Sequence, residues 1–136
     1  MANDLTTRPP ANLLTTRQRD FLLLTIFVLT QNGYIERATA LAEALHLLGD
    51  ETGEVTLARA VLRFFARDWE AAIICLDDLD RIAPIERFGS YTMNDTQRMR
   101  RYLKARCFHE LKDHSRARDV VESYLRHGTD AAGVAE

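Results

Sequence analysis

The chain has 136 residues, enough for one domain that buries a single core without staples. Its 18 basic and 20 acidic side chains leave a net charge of -2, so bulk electrostatics favours neither a nucleic-acid binder nor a membrane-surface protein. Six glycines and three prolines mark a helix-rich composition, and the two cysteines, Cys75 and Cys107, are too few for a disulfide framework and suit a reducing cytoplasm.

The polar leader MANDLTTRPPANLLTT, residues 1–16, carries Pro9 and Pro10 and reads as a flexible arm. Phe21 to Leu29, FLLLTIFVL, is apolar nearly all round. Arg17 and Arg19 before it and Ala38-Thr39-Ala40 after it resemble a secretory signal, but Asp20 abuts the run and Glu36 and Arg37 fall where a neutral segment is expected. Nine residues are also far short of the roughly 20 that span a bilayer, so a buried helix is expected and no membrane insertion. Ile35, Ala38, Leu41, Ala42, Leu45 and Leu48 then form the stripe of an amphipathic helix. Leu57 to Phe65 is again apolar nearly all round, which predicts burial on two sides. The only tryptophan, Trp69, stands between Asp68 and Glu70 at a charged joint where the next helix begins, its ring expected to cap an apolar seam. Pro84 closes that helix, and Ile85 to Asp95, with its Gly, Ser and Asn, reads as a solvent-facing loop insertion. Ala117, Val120, Val121, Tyr124 and Leu125 give a last amphipathic stripe, and residues 128–136 a flexible tail.

These segments repeat. NGYIERATALAEAL (Asn32 to Leu45) aligns with ARDWEAAIICLDDL (Ala66 to Leu79) at a shift of 34 residues, and LKDHSRARDVVESYL (Leu111 to Leu125) follows 45 residues further on, the excess falling in the insertion. Small residues, Ala38, Ala72 and Ala117, open each second helix. On these features the chain resembles tetratricopeptide-repeat proteins over residues 17–127. The fold class expected is therefore all-α, a right-handed superhelix of about three helix-turn-helix repeats.

In such a superhelix the first helix of each repeat lines the concave face. Steps of i, i+4, i+7 pick out Leu23, Phe27 and Thr30, then Leu57, Val61 and Phe64, then Tyr102, Arg106 and His109 as a partner-binding groove, apolar at one end and polar at the other. An amphipathic helix would fit it, unless the leader, through Leu13 and Leu14, or the C-terminal tail folds back to fill it.

No constellation predicts catalysis. Cys107 and His109 lie about 200° apart round a helix and cannot pair. His46, His109, His114 and His127 show no metal-ligand spacing, and Gly49 and Gly53 lack the lysine of a phosphate loop, so no metal and no cofactor are expected. The basic stretch RMRRYLKAR, Arg98 to Arg106, could meet phosphates, but the acidic Asp77, Asp78 and Asp80 of the preceding helix are expected to neutralise it.

A narrower resemblance lies in EALHLLGDETGEVTLARAVLRFFARDWEAAI, Glu43 to Ile73. With Leu45-His46-Leu47, Gly49, Asp50-Glu51 and Asp68-Trp69 in place, it is similar to the G-type chaperones that hold needle subunits of bacterial type III secretion systems. The resemblance implies a small cytoplasmic, non-enzymatic protein that holds the amphipathic C-terminal helix of a needle subunit in its groove, usually with a second short helical co-chaperone. Chaperones of the pore-forming translocators of the same machine, and generic tetratricopeptide scaffolds, are the alternative expectations.

Overall fold

The computed structural model describes residues 14–85 and 92–127. Among them are six helices and no strand: α1 Thr16–Gln31, α2 Ile35–Leu47, α3 Gly53–Phe65, α4 Trp69–Ile82, α5 Asp95–Glu110 and α6 His114–His127. The leader up to residue 13, the tail from 128 and residues 86–91 of the insertion lie outside the described residues.

Local chemistry sets where the helices begin. Thr15 and Gln18 form a reciprocal capping box at α1, and Asn94 and Gln97 form another at α5, each satisfying two backbone donors that no helical carbonyl can reach. Asp68 caps α4 by accepting from the Ala71 N–H at 3.3 Å, and Asp113 caps α6 by accepting from Arg116 at 3.2 Å.

The turns carry the repeat. After α1 the N–H groups of Asn32, Gly33 and Tyr34 donate to Val28, Thr30 and Leu29. After α3, Ala66, Arg67 and Asp68 donate to Leu62, Phe64 and Arg63, and after α5, Leu111, Lys112 and Asp113 donate to Cys107, His109 and Phe108, all nine bonds lying between 2.9 and 3.1 Å. The central residue of each turn has a positive φ: 83° at Gly33, 61° at Arg67 and 62° at Lys112. Only glycine takes that conformation without a steric cost. The bonds thus recur at the 34- and 45-residue spacings that the sequence alignment shows, and the three helix hairpins are closed the same way; Leu48, Gly49 and Asp50 close the link between α2 and α3 with the same pattern, so the turn marks helix ends generally.

Each helix packs on the next in the chain, and the first helices also touch across hairpins, α1 against α3 and α3 against α5. Ile26, Ala38, Ala42, Leu45, Val55 and Leu62 form one buried cluster; Ala60, Cys75, Leu76 and Leu103 form a second. Leu14 and Leu23 pack on the first cluster, so the end of the leader nearest α1 joins the core. Ala38, Ala42, Ala60 and Ala72 are fully buried, the small side chains that let helix axes approach.

Two expectations change. Val121 and Leu125 are 42% and 69% exposed, because α6 is the last helix described and only Val120 of their stripe is buried. The insertion is only partly solvent-facing: Thr92, Asn94 and Asp95 are exposed, but Ile85 and Met93 are buried, and the Met93 N–H donates to the His127 carbonyl at 2.7 Å, tying the return of the chain to the end of α6.

Ion pairs link neighbouring hairpins. Arg59 reaches Glu43 at 2.9 Å, and Lys104 reaches Asp77 at 2.8 Å; these pairs occupy equivalent places in successive repeats, joining the second helix of one hairpin to the first of the next. Buried Asp50, in the turn between α2 and α3, accepts from Arg19 at 2.5 Å and from the Thr52 backbone and hydroxyl at 3.1 and 2.8 Å. Burial works to raise the pKa of Asp50, but the Arg19 and Thr52 hydrogen bonds outweigh it and hold the carboxyl below its usual range. Glu43 is held down against burial by Arg59 and Arg63, and Asp80 by Lys104 and Arg100.

All three carboxyls have folded pKa values below their unfolded ones, so the folded chain binds fewer protons in acid. Their stabilisation is complete above the unfolded values, about pH 4–4.5, and is lost as pH falls through the folded values. Urea melts across that range should show it, and Asp50→Asn should cost about 2 kcal/mol at neutral pH while flattening the acid limb. Lys112→Gly should raise stability by roughly 0.5–1 kcal/mol, relieving the left-handed backbone at the third turn.

Candidate partner-binding surface

The first helices carry the predicted groove residues, and the structure treats them unequally. On α1, Leu23 is half-buried against the first core cluster, Thr30 donates its hydroxyl to the Ile26 carbonyl at 2.7 Å, and Phe27 is 55% exposed. On α3, Leu57 is half-buried, while Val61 and Phe64 pack against the second cluster. On α5, Tyr102 is 49% exposed, Arg106 is partly exposed and His109 is exposed, its ring 5.9 Å from that of His114 at the start of α6.

Phe64, Tyr102 and Arg106 are brought together. The Arg106 guanidinium donates to the Tyr102 hydroxyl at 2.9 Å and stands 5.8 Å from the centre of the Phe64 ring, bridging α3 and α5. The Tyr102 hydrogen bond, with a smaller contribution from Glu110 at 3.7 Å, raises the pKa of Arg106 further above neutrality. A guanidinium over an aromatic face is stabilised by the ring quadrupole. The result is an amphipathic spot: aromatic rings below, a fixed positive charge above. Trp69 meets Phe64 edge-on at 5.3 Å, so the ring at the charged joint does cover the seam between α3 and α4.

The two nearly all-apolar helices also part ways. α3 keeps its aliphatic side chains at least partly covered between α1 and α5. On α1 one side forms the core, whereas Phe21, Leu24, Phe27 and Val28 are 67%, 59%, 55% and 49% exposed. Together they form one apolar strip rather than scattered surface residues, a feature that interaction surfaces commonly share. A groove of about 430 Å³, lined by Leu14, Arg17, Gln18, Phe21 and Leu22, continues it past the start of the helix.

The basic stretch is largely engaged within the chain. Lys104 contacts Asp77 and Asp80, buried Arg100 donates to Asp80 and to the Ala83 carbonyl at 2.8 and 2.7 Å, and Arg98 pairs with Asp95. Asp78 takes no part in this, pairing with Arg81 one turn along its own helix. A cleft of about 390 Å³ between α4, α5 and α6 is lined by Asp77, Asp80, Arg101 and Lys104 together with Phe108 and Arg116.

Both thiols are buried, and that burial raises the Cys75 pKa and pushes Cys107 up to about 11, so neither is a thiolate near neutrality. Among the described residues no three His, Cys, Asp or Glu side chains gather as a metal site, and no helix is long and apolar enough to cross a membrane. Sequence reasoning missed the outward strip on α1 because it placed the interaction on a concave row of Leu23, Phe27 and Thr30; Phe27 alone belongs to both sets. The chain matches no protein-family model and no curated protein.

Removing the aromatic floor beneath Arg106 should be visible at Trp69. Phe64→Ala is expected to lower stability by about 2–3 kcal/mol, discounted from a fully buried ring, and to shift the Trp69 emission to the red.

Proposed function

We propose that this chain is a non-enzymatic carrier of an amphipathic helix, and more narrowly a cytoplasmic type III secretion chaperone that keeps a needle subunit from polymerising early. In this reading the six helices form a right-handed tetratricopeptide superhelix of about three repeats, supported by the turn and the ion pair that recur at the repeat spacing. The observation that carries the proposal is an aromatic surface on the first helices: exposed Phe27 on α1, and exposed Tyr102 with Arg106 over the half-buried Phe64 ring across α3 and α5.

The physical task matches this surface. A needle subunit must assemble outside the cell and remain monomeric inside, so the apolar face of its C-terminal helix needs a removable cover. Phe27 and Phe64 would seat apolar residues at i, i+3, i+4 and i+7, while Arg106 would meet an acidic or carbonyl group on the rim. Burial of about 800 Å² per side would hold such a helix specifically. The chaperone identity rests on the Glu43 to Ile73 resemblance, which also implies a short helical co-chaperone. The deeply buried thiols suit a protein that holds a client without chemistry.

Co-expression with a needle subunit should give a soluble stoichiometric complex. Phe27→Glu and Tyr102→Glu each change an exposed ring, so both variants should keep the helical circular dichroism of the parent and lose the complex. Retention of the client at unchanged affinity by both variants would remove the groove from the proposal.

A further inference from the structure

The hairpin of α5 and α6 brings two histidines together across its turn. His109, in the last turn of α5, and His114, the first residue of α6, have ring centres 5.9 Å apart with the ring planes at 62°. Both side chains are exposed. The turn between them is closed by Leu111, Lys112 and Asp113, whose N–H groups donate to Cys107, His109 and Phe108 at 3.0, 3.0 and 2.9 Å, so the backbone that carries both imidazoles is held in place. Neither ring has a hydrogen-bond or ion-pair partner among the described residues. The carboxylates beside them are engaged elsewhere: Glu110 lies 3.7 Å from Arg106, and Asp113 caps α6 and lies 3.4 Å from the Arg116 guanidinium.

From this pair we propose a divalent transition-metal site that staples α5 to α6, with His109 and His114 as its two protein ligands. The donor set selects the ion. Imidazole nitrogens suit zinc, copper and nickel, whereas magnesium and calcium take oxygen ligands. Geometry allows the bridge. With metal–nitrogen bonds of about 2.0–2.1 Å, two imidazoles on one tetrahedral ion have ring centres about 5 Å apart. Closing the observed 5.9 Å to that value asks only for rotation about the soft terminal torsions of two exposed rings. The remaining coordination positions face solvent and would take water or a donor from a bound protein. No helical i, i+4 spacing announces such a site; it exists because the chain reverses at Lys112, whose φ is 62°.

Chelation sets the strength. A single exposed histidine holds such an ion weakly, but once one imidazole is bound the turn presents the second at a high effective concentration, so the pair should exceed either ring alone by about 100-fold. The ion also ties the end of α5 to the start of α6. It therefore favours the folded chain over the unfolded one, in which nothing holds the rings together. Metal binding of this kind is independent of any guest helix.

Calorimetric titration of the full chain with zinc chloride should give one ion per chain, and magnesium chloride no heat of binding. His109→Ala and His114→Ala each remove one exposed ring, so both variants should keep the helical circular dichroism of the parent and bind zinc about 100-fold more weakly. His46→Ala, on α2, should bind as the parent does. Urea midpoints give a second reading: zinc should raise that of the parent and leave those of the His109→Ala and His114→Ala variants in place. Absence of zinc uptake by the parent chain, or parent-like affinity in either of those two variants, overturns the proposal. An equal loss in His46→Ala overturns it as well, because uptake would then come from scattered histidines and not from the pair.

Discussion

Everything in this fold is arranged around one helix that has to bury two opposite sides. α3 gives Val55 and Leu62 to the first core cluster and Ala60 to the second, and it touches α1, α2, α4 and α5. Because both of its flanks pack on neighbouring helices, the hairpins before and after it stack against it, while Phe65 at its end stays 53% exposed. A stack has two ends. The same apolar composition that is satisfied in the middle is left half-satisfied at α1, whose outward row has no neighbouring helix among the described residues.

That difference explains what was and was not legible in the sequence. Features fixed by local chemistry could be read directly: the 34-residue spacing, the turn centred on Gly33, the joint at Trp69, the small side chains Ala38 and Ala72 that are now fully buried. Features fixed by which helix lies beside which could not. Phe21 to Leu29 and Leu57 to Phe65 look alike as strings, and only the stack decides that one is covered twice and the other once. The Arg19–Asp50 contact spans 31 residues, and nothing in GDETG announces it beyond the Asp-x-Thr spacing of a local side-chain turn. Arg67 and Lys112 adopt left-handed backbone where glycine would be expected, so those two turns carried no signal at their central residue. On the predicted surface, three residues chosen by helical spacing alone, Phe64, Tyr102 and Arg106, do meet, because i, i+4 spacing on α5 and the α3–α5 contact both hold.

The functional reading draws on two kinds of surface, which share Phe27. The aromatic cluster under Arg106 is polar at its rim and tied to two helices, which suits a guest whose orientation matters. The row on α1 is apolar, charge-free along its middle and confined to one helix.

The recurrence of the Glu43–Arg59 contact as Asp77–Lys104 has a further meaning for how such a chain can evolve. The first two hairpins each present an acidic side chain on the trailing helix and receive a cation from the leading helix of the next, like couplings of matching gender on railway wagons. A duplicated hairpin inserted between them would find that one complementary fitting at both ends, so array length can change by a whole unit while this contact is kept.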